Sequence, residues 1–167
     1  MVHSHSATVQ NMNDPTIGRP ILPSTILIIN GPNLNNLGKR DLSIYGAKTL
    51  NDIQSDISNK ASSLGVDVKF FQSNHEGSIV DFIQESSVEA NGIIINAGAL
   101  TQVGYSILDA ILDTGLPFIE VHLSNIHARE KFRQESVFAG KAIGQMAGLG
   151  PSGYVYALDH LATIINS

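Results

Sequence analysis

Cysteine is absent from the chain. That excludes a disulfide framework and any thiolate-held metal or cluster, and it leaves the redox compartment undefined. Positive charge is scarce: ten Lys and Arg face fifteen Asp and Glu, for a net charge of −5. Such a surface is not built to follow a nucleic-acid backbone, although a small cationic pocket is compatible with it. No apolar run approaches the roughly 20 residues that cross a bilayer, so no membrane partner is expected. The chain has no G-x-G-x-x-G. Six residues, not four, separate Gly31 from Gly38-Lys39, and Arg40 stands where a phosphate loop needs Ser or Thr. A nucleotide is therefore not expected. Residues 1–24 lack a basic n-region and a separate apolar h-region, so they do not read as a signal peptide. They are rich in Ser, Asn and Pro and read as a disordered tail, and a cytoplasmic location is expected.

What remains is a globular composition, 43% hydrophobic and 15% charged over 167 residues. It describes a single domain, residues 25–167, long enough for a sizeable core. Thr25-Ile-Leu-Ile-Ile29 is a continuous apolar run, the mark of a parallel strand covered on both faces. After it, Thr49 can cap a helix whose apolar face is Leu50, Ile53, Ile57, Ala61 and Leu64, with Gly65 to end it. Residues 66–72 read as a second strand, and a helix buried through Ile79, Phe82 and Ile83 runs to about Glu89. Gly92-Ile-Ile-Ile95 is a third strand. A helix with Ile107, Ala110 and Ile111 inward follows and closes at Gly115. Phe118, Ile119 and Val121 mark a fourth strand, residues 142–147 a weaker fifth, and residues 151–165 a last helix.

Strands alternating with helices imply a parallel sheet with right-handed crossovers. Five of them fit an α/β, flavodoxin-like three-layer sandwich of order 2-1-3-4-5. That order sets strands one, three and four side by side. Their carboxyl ends carry Asn30 to Asn33, Asn96 to Gln102, and Glu120 to Asn125. Ligands of open α/β sheets bind outside these ends, at the switch point. Glu120 and His122 are two apart, so they share one strand face. A carboxylate beside an imidazole orients it and raises its basicity. Asn-rich neighbours favour hydrogen bonding over metal ligation, and Asn96 replaces the aspartate that a phosphoacceptor module would need. The site therefore reads as acid–base chemistry on a small polar, anionic molecule. His122 is the acid or base, Asn33, Asn96, Gln102 and Ser124 are neutral hydrogen-bonding groups, and Arg40 and Arg133 are cations.

Gly38 and Gly46 bracket a segment that suits a mobile lid and carries Arg40 and Tyr45. Ionising a tyrosine of pKa about 10 at pH 7 costs about 4 kcal/mol. A guanidinium about 4 Å away returns up to about 4 kcal/mol at an effective dielectric near 20, but only about 1 in bulk water. A closed lid can make a tyrosinate base; an open one cannot.

The motifs Asn30-Gly-Pro-Asn-Leu-Asn35, Ile44-Tyr-Gly46, Gln72-Ser-Asn-His-Glu-Gly77, Ile95-Asn-Ala-Gly-Ala99 and Glu120-Val-His-Leu-Ser-Asn-Ile-His-Ala-Arg-Glu130 together resemble the type II 3-dehydroquinate dehydratases. The resemblance runs from about Thr25 to the C-terminus. It implies a cofactor-free, flavodoxin-like enzyme, a homo-oligomer described as a dodecamer of trimers. Its reaction eliminates water from 3-dehydroquinate through an enolate, in the shikimate or quinate pathway. Tyr45 matches the base for the C2 proton and Arg40 the arginine that lowers its pKa. His122 matches the acid for the departing C1 hydroxyl, and Glu120 the residue that orients it. Asn33 matches the residue holding a water against the enolate. Asn96, Leu123, Ser124 and Arg133 match substrate-binding positions, and Asp109 an acidic residue at a subunit contact near a neighbouring site. His75, His127 and His160 gain no catalytic role. One departure stands out. Where the family commonly has Thr-His, this chain has Thr101-Gln102. A glutamine replaces the imidazole's hydrogen bond without its charge, and Gly104 is expected to let the following helix shift to keep the amide in reach. The same departure supports an alternative, a homologue of altered or lost activity that binds a related cyclic hydroxy acid.

Overall fold

The computed structural model describes residues 23–39 and 47–167. Five strands form one parallel sheet: β1 (Thr25–Asn30), β2 (Asp67–Gln72), β3 (Gly92–Asn96), β4 (Phe118–His122) and β5 (Gly144–Ala147). Their order is β2-β1-β3-β4-β5, the flavodoxin-like order expected from the pattern. Among the described residues four helices cover it: α1 (Leu50–Leu64), α2 (Glu76–Ser86), α3 (Tyr105–Thr114) and α4 (Ser152–Ile165). Helices α1 and α4 pack over Ile26, Ile28, Ile94, Ile119 and Val121. Helices α2 and α3 cover the opposite face, over Leu27, Ile29, Ile93, Ile95 and Phe118. Both faces are buried, which is why the central strands are apolar without alternation. Among the described residues no helix is long and apolar enough to cross a membrane.

Local chemistry sets the element ends. Thr49 forms a capping box with Asp52: the threonine Oγ1 accepts the Asp52 N–H, and the Asp52 carboxylate accepts the Thr49 N–H at 2.8 Å. Gly65 closes α1 at φ 67°, a left-handed turn that suits glycine. Val66 is still part of that closure, its N–H bonded to Ala61 O, so β2 starts at Asp67 rather than at 66. The helix expected to reach Glu89 tightens after Ser86 into a 3-10 turn over Ser87–Glu89. The fifth strand begins at Gly144, because the Ala142 N–H bonds Phe138 O in the preceding turn. Ser24 O accepts the Asp67 N–H at 2.9 Å, and the Ser24 hydroxyl bonds Asn166 at 3.2 Å.

Register decides what meets at the carboxyl edge. Asn30 lies beside Gln72 on one side and Asn96 on the other. Glu120 lies beside Ile95 and Gln145. In a parallel sheet such neighbours project to the same face, so each polar residue meets its partners without any loop movement.

Candidate active site

The loops after β1 and β3 are stitched through backbone. The Gly31 N–H donates to Asn96 O at 2.8 Å, and a Cβ at residue 31 would lie 2.2 Å from Ala97 O. No side chain fits there, so glycine sets the approach of the two loops. Asn33 follows at φ 67°, the one non-glycine residue of positive φ among the described residues. Asparagine tolerates this conformation better than most residues. Its N–H donates to Asn74 Oδ1 at 2.9 Å, and Gln72 Nε2 donates to the same oxygen and to Gly31 O, each at 3.2 Å. Its side chain is not spent on capping the next turn and lines a cavity.

Asn96 is buried and its amide is fixed from both ends. Nδ2 donates to Tyr154 Oη at 3.0 Å, while Oδ1 accepts the Gly98 N–H at 3.2 Å. The Tyr154 hydroxyl in turn donates to Asn30 Oδ1. Burial pushes the Tyr154 phenol well up, against the hydrogen bond from Asn96 that pulls it down, so it stays a neutral donor and is no base. One N–H of the Asn96 amide is left for the cavity that Asn96 lines.

Glu120 is fully inaccessible, and His122 Nε2 lies 2.8 Å from its Oε1. Ser136 donates to the same oxygen at 2.6 Å and Gln145 Nε2 to Oε2 at 2.8 Å. Burial pushes the carboxyl up. The hydrogen bonds from His122 and Ser136, the His122 charge and the Gln145 bond outweigh it and hold Glu120 below its ordinary value. As a carboxylate it only accepts, so the His122 proton on this side sits on Nε2. Among the described residues no buried side-chain nitrogen or oxygen lacks a partner, and Nδ1 bonds none of them. Nδ1 therefore opens on the cavity whose wall His122 joins.

The cavity measures about 240 Å³ and lies over the carboxyl edge of β1, β3 and β4. Asn33, Asn96, His122 and Gln102 meet in its wall. So do Leu123, Ser124 and Arg133. Glu120 stands behind His122 rather than in the wall. The Leu123 carbonyl accepts the Gly150 N–H at 2.9 Å. Arg133 is half-exposed, with Nε 3.5 Å from Glu130 and its guanidinium over the Phe132 ring. Gln102 spends its Nε2 on two backbone carbonyls, Arg133 O at 3.3 Å and Glu135 O at 3.2 Å, which leaves Oε1 to face a ligand. Gly104 is pinned rather than free to shift: its N–H bonds Leu100 O at 2.7 Å, and a Cβ would meet that oxygen at 2.8 Å. Asp109 is exposed on α3 and does not line this cavity. His75, His127 and His160 are exposed. Tyr45, Arg40 and the rest of the expected lid (residues 40–46) lie outside the described residues, as do residues 1–22 of the tail.

Among the described residues no group of three or more His, Asp or Glu is arranged to hold a metal. Three contributors escape a reading of the sequence, whereas Arg129, part of the Glu120–Glu130 motif, lines the cavity. Tyr154 reads in the sequence as a core residue alone. Gln145 does leave a signal, since a long amide in the edge strand Gly-Gln-Met-Ala sits in register with Glu120. Ser136 leaves none; it reaches Glu120 from a loop.

Comparison with known proteins follows the same chemistry. The family description "Dehydroquinase class II" matches residues 24–162. The chain is 49% identical to the 3-dehydroquinate dehydratase of Halothermothrix orenii, over 84% of this chain and 95% of that protein. It is 51% identical to the catabolic 3-dehydroquinase 1 of Aspergillus terreus, over 84% of this chain and 93% of that protein. The crystal structure of the type II dehydroquinase from Propionibacterium acnes superposes with a TM-score of 0.81 at 39% identity, covering 85% of this chain and 98% of that one. With the fold, the carboxyl-edge cavity and these likenesses in agreement, the chain belongs to the type II (class II) dehydroquinase family.

Proposed function

We propose that the chain is a 3-dehydroquinate dehydratase, a hydro-lyase that converts 3-dehydroquinate to 3-dehydroshikimate and water. The observation that carries this is the buried Glu120–His122 pair, with Nδ1 open to a cavity that Asn33, Asn96 and two arginines share. In this reading Tyr45, its pKa lowered by Arg40, takes the C2 proton, and the electron pair moves into the carbonyl to give an enolate. Asn33 holds a water against the developing oxyanion. The electrons return, the C1–O bond breaks, and protonated His122 delivers its Nδ1 proton to the leaving hydroxyl, releasing water. Glu120 orients the ring throughout. Asn96, Gln102, Leu123, Ser124 and Arg133 hold the substrate, and no cofactor takes part. Exposed Asp109 fits a role at the site of a neighbouring subunit, in a dodecamer of trimers. A cytoplasmic enzyme of the shikimate or quinate pathway completes the reading, which the names of the relatives support on the side of activity.

The test is the appearance of conjugated-enone absorbance from 3-dehydroquinate with purified protein. No turnover, in a sample whose His122→Ala variant is equally inert, refutes the reading. Light scattering checks the assembly, which fails if the protein is a monomer at working concentration.

A further inference from the structure

We propose that Ser136 and Gln145 are positioning residues that hold Glu120 as a fixed acceptor, so that His122 can only donate to it through Nε2. The proposal rests on the dehydratase reading for its catalytic consequence, but its geometry stands by itself. The Ser136 oxygen accepts the N–H groups of Phe138 at 3.1 Å and Ala139 at 3.2 Å. Two backbone donors occupy its lone pairs, so its one proton goes to Glu120 Oε1, 2.6 Å away. On the other oxygen, Gln145 donates at 2.8 Å from the neighbouring strand position. With both oxygens accepting, Glu120 has no reason to carry a proton, and the remaining lone pair of Oε1 takes the Nε2 proton of His122. The direction is set from the backbone outward: Phe138 and Ala139 to Ser136, Ser136 to Glu120, His122 to Glu120. Nδ1 is thereby kept for the cavity.

The same loop ties this chain to substrate binding. Ser136 lies three residues after Arg133, and the strap between them is held by Gln102 at Arg133 O and Glu135 O and by the Val137 N–H on Thr101 O at 3.0 Å. One short strap therefore carries a cavity cation on one end and the hydroxyl that orders the acid–base pair on the other.

If a donor is lost, burial meets one opponent fewer, and the carboxyl protonates at higher pH. Once protonated it can donate as well as accept, and Nε2 loses its fixed acceptor. His122 is the one titratable group in contact with Glu120 among the described residues, with Arg129 and Arg133 farther out on the cavity wall. The experiment is NMR on the full chain labelled with ¹³C-glutamate and ¹⁵N-histidine, assigned through Glu120→Gln and His122→Gln. The parent is expected to show Glu120 titrating below the ordinary carboxylate range and His122 as the Nε2–H tautomer when neutral. In Ser136→Ala the Glu120 titration moves up by a unit or more, and Ser136→Thr, which keeps the hydroxyl, restores it. Gln145→Leu moves it in the same direction and serves if Ser136→Ala does not fold. With turnover measured alongside, kcat falls roughly ten- to hundredfold in Ser136→Ala while KM stays within about threefold. An Nδ1–H tautomer in the parent overturns the proposal, and so does an unmoved Glu120 titration in a folded Ser136→Ala or Gln145→Leu protein. A parent inert toward 3-dehydroquinate refutes the proposed activity instead, and the spectra still decide the positioning.

Discussion

Replacing Gln102 by alanine separates binding from chemistry in this site. The amide nitrogen holds two backbone carbonyls at 3.3 and 3.2 Å. Those lengths are at the long end for N–H···O bonds, so each is worth about 0.5 kcal/mol, the lower end of the neutral range. A ligand hydroxyl on Oε1 adds one more neutral bond, about 0.5–1.5 kcal/mol. The ligand bond is lost outright and the two strap bonds count only as far as Arg133 moves, so the loss lies between about 0.5 and 2.5 kcal/mol, or roughly 2- to 60-fold in affinity at about 1.4 kcal/mol per tenfold. Gln102 touches neither Glu120 nor His122, and without it the Ser136 end of the strap keeps the Val137 N–H bond to Thr101 O, so the loss falls on KM, with kcat within about threefold. Initial rates from enone absorbance across substrate concentration read both constants. Gln102→Glu loses both donors and adds an anion, and raises KM further than alanine does. Gln102→His brings a ring that can hold one of the two carbonyls but not both, so KM falls by well under tenfold. A Gln102→Ala enzyme whose kcat drops as far as its kcat/KM, or one indistinguishable from the parent, refutes the reasoning.

Tyr45→Phe removes turnover while ligand binding by calorimetry stays within about tenfold, since only transition-state charge is lost; substantial residual rate would assign the base elsewhere. Chelation followed by desalting leaves the rate unchanged, and a loss restored by one divalent ion would recast Glu120 and His122 as ligands. Tyr154→Phe leaves Asn30 Oδ1 without its donor and Asn96 Nδ2 without its acceptor in a dry interior. Each such group costs about 1–3 kcal/mol, which lowers Tm by about 5 °C or more at about 2–4 °C per kcal/mol, and an unchanged Tm counts against that network. Glu120 is held below its ordinary value in the folded protein, so the stability it contributes is present above the unfolded pKa of about 4.3 and is lost as pH falls through the folded value. Denaturation midpoints between pH 6 and 3 should therefore fall more steeply for the parent than for Glu120→Gln, and parallel curves would refute it.

The sheet was legible because its central strands are unbroken apolar runs, and the strand order follows once five strands alternate with helices. The ends of those strands were legible for the same reason: Asn30, Asn96, Glu120 and His122 stand at the points where apolar runs stop. What the sequence conceals is the second partner of each. Tyr154 reads as a core residue, and it is one, fully buried among Leu158 and Leu161. Its hydroxyl nevertheless reaches Asn96 across 58 positions and Asn30 across 124. Ser136 comes from a loop with no periodicity to place it. Gln102 reads as a stand-in for a substrate-facing imidazole, whereas its donors brace the chain. In each case a polar atom's partner is fixed by tertiary packing, which local pattern does not encode.

The two polar pairs also answer to different faces of the sheet. Asn30 and Asn96 share strand parity with Ile28 and Ile94, so they project toward α1 and α4, where Tyr154 waits. Glu120 and His122 share parity with Phe118 and project toward the α2 and α3 side. The cavity lies where both sets reach the rim, so a ligand there touches groups anchored in two separate cores. A carboxylate with no accessible surface is costly to keep for stability alone, since well-packed apolar residues commonly do as well. Three donors within 2.8 Å lower that cost without removing it. Such an expense next to an open imidazole nitrogen is explained by what the imidazole must do. In the proposed reaction it has to present a proton at one nitrogen, in one orientation, each time the site is filled, and a buried acceptor held by backbone-directed donors would do that with no reorganisation at the moment of reaction.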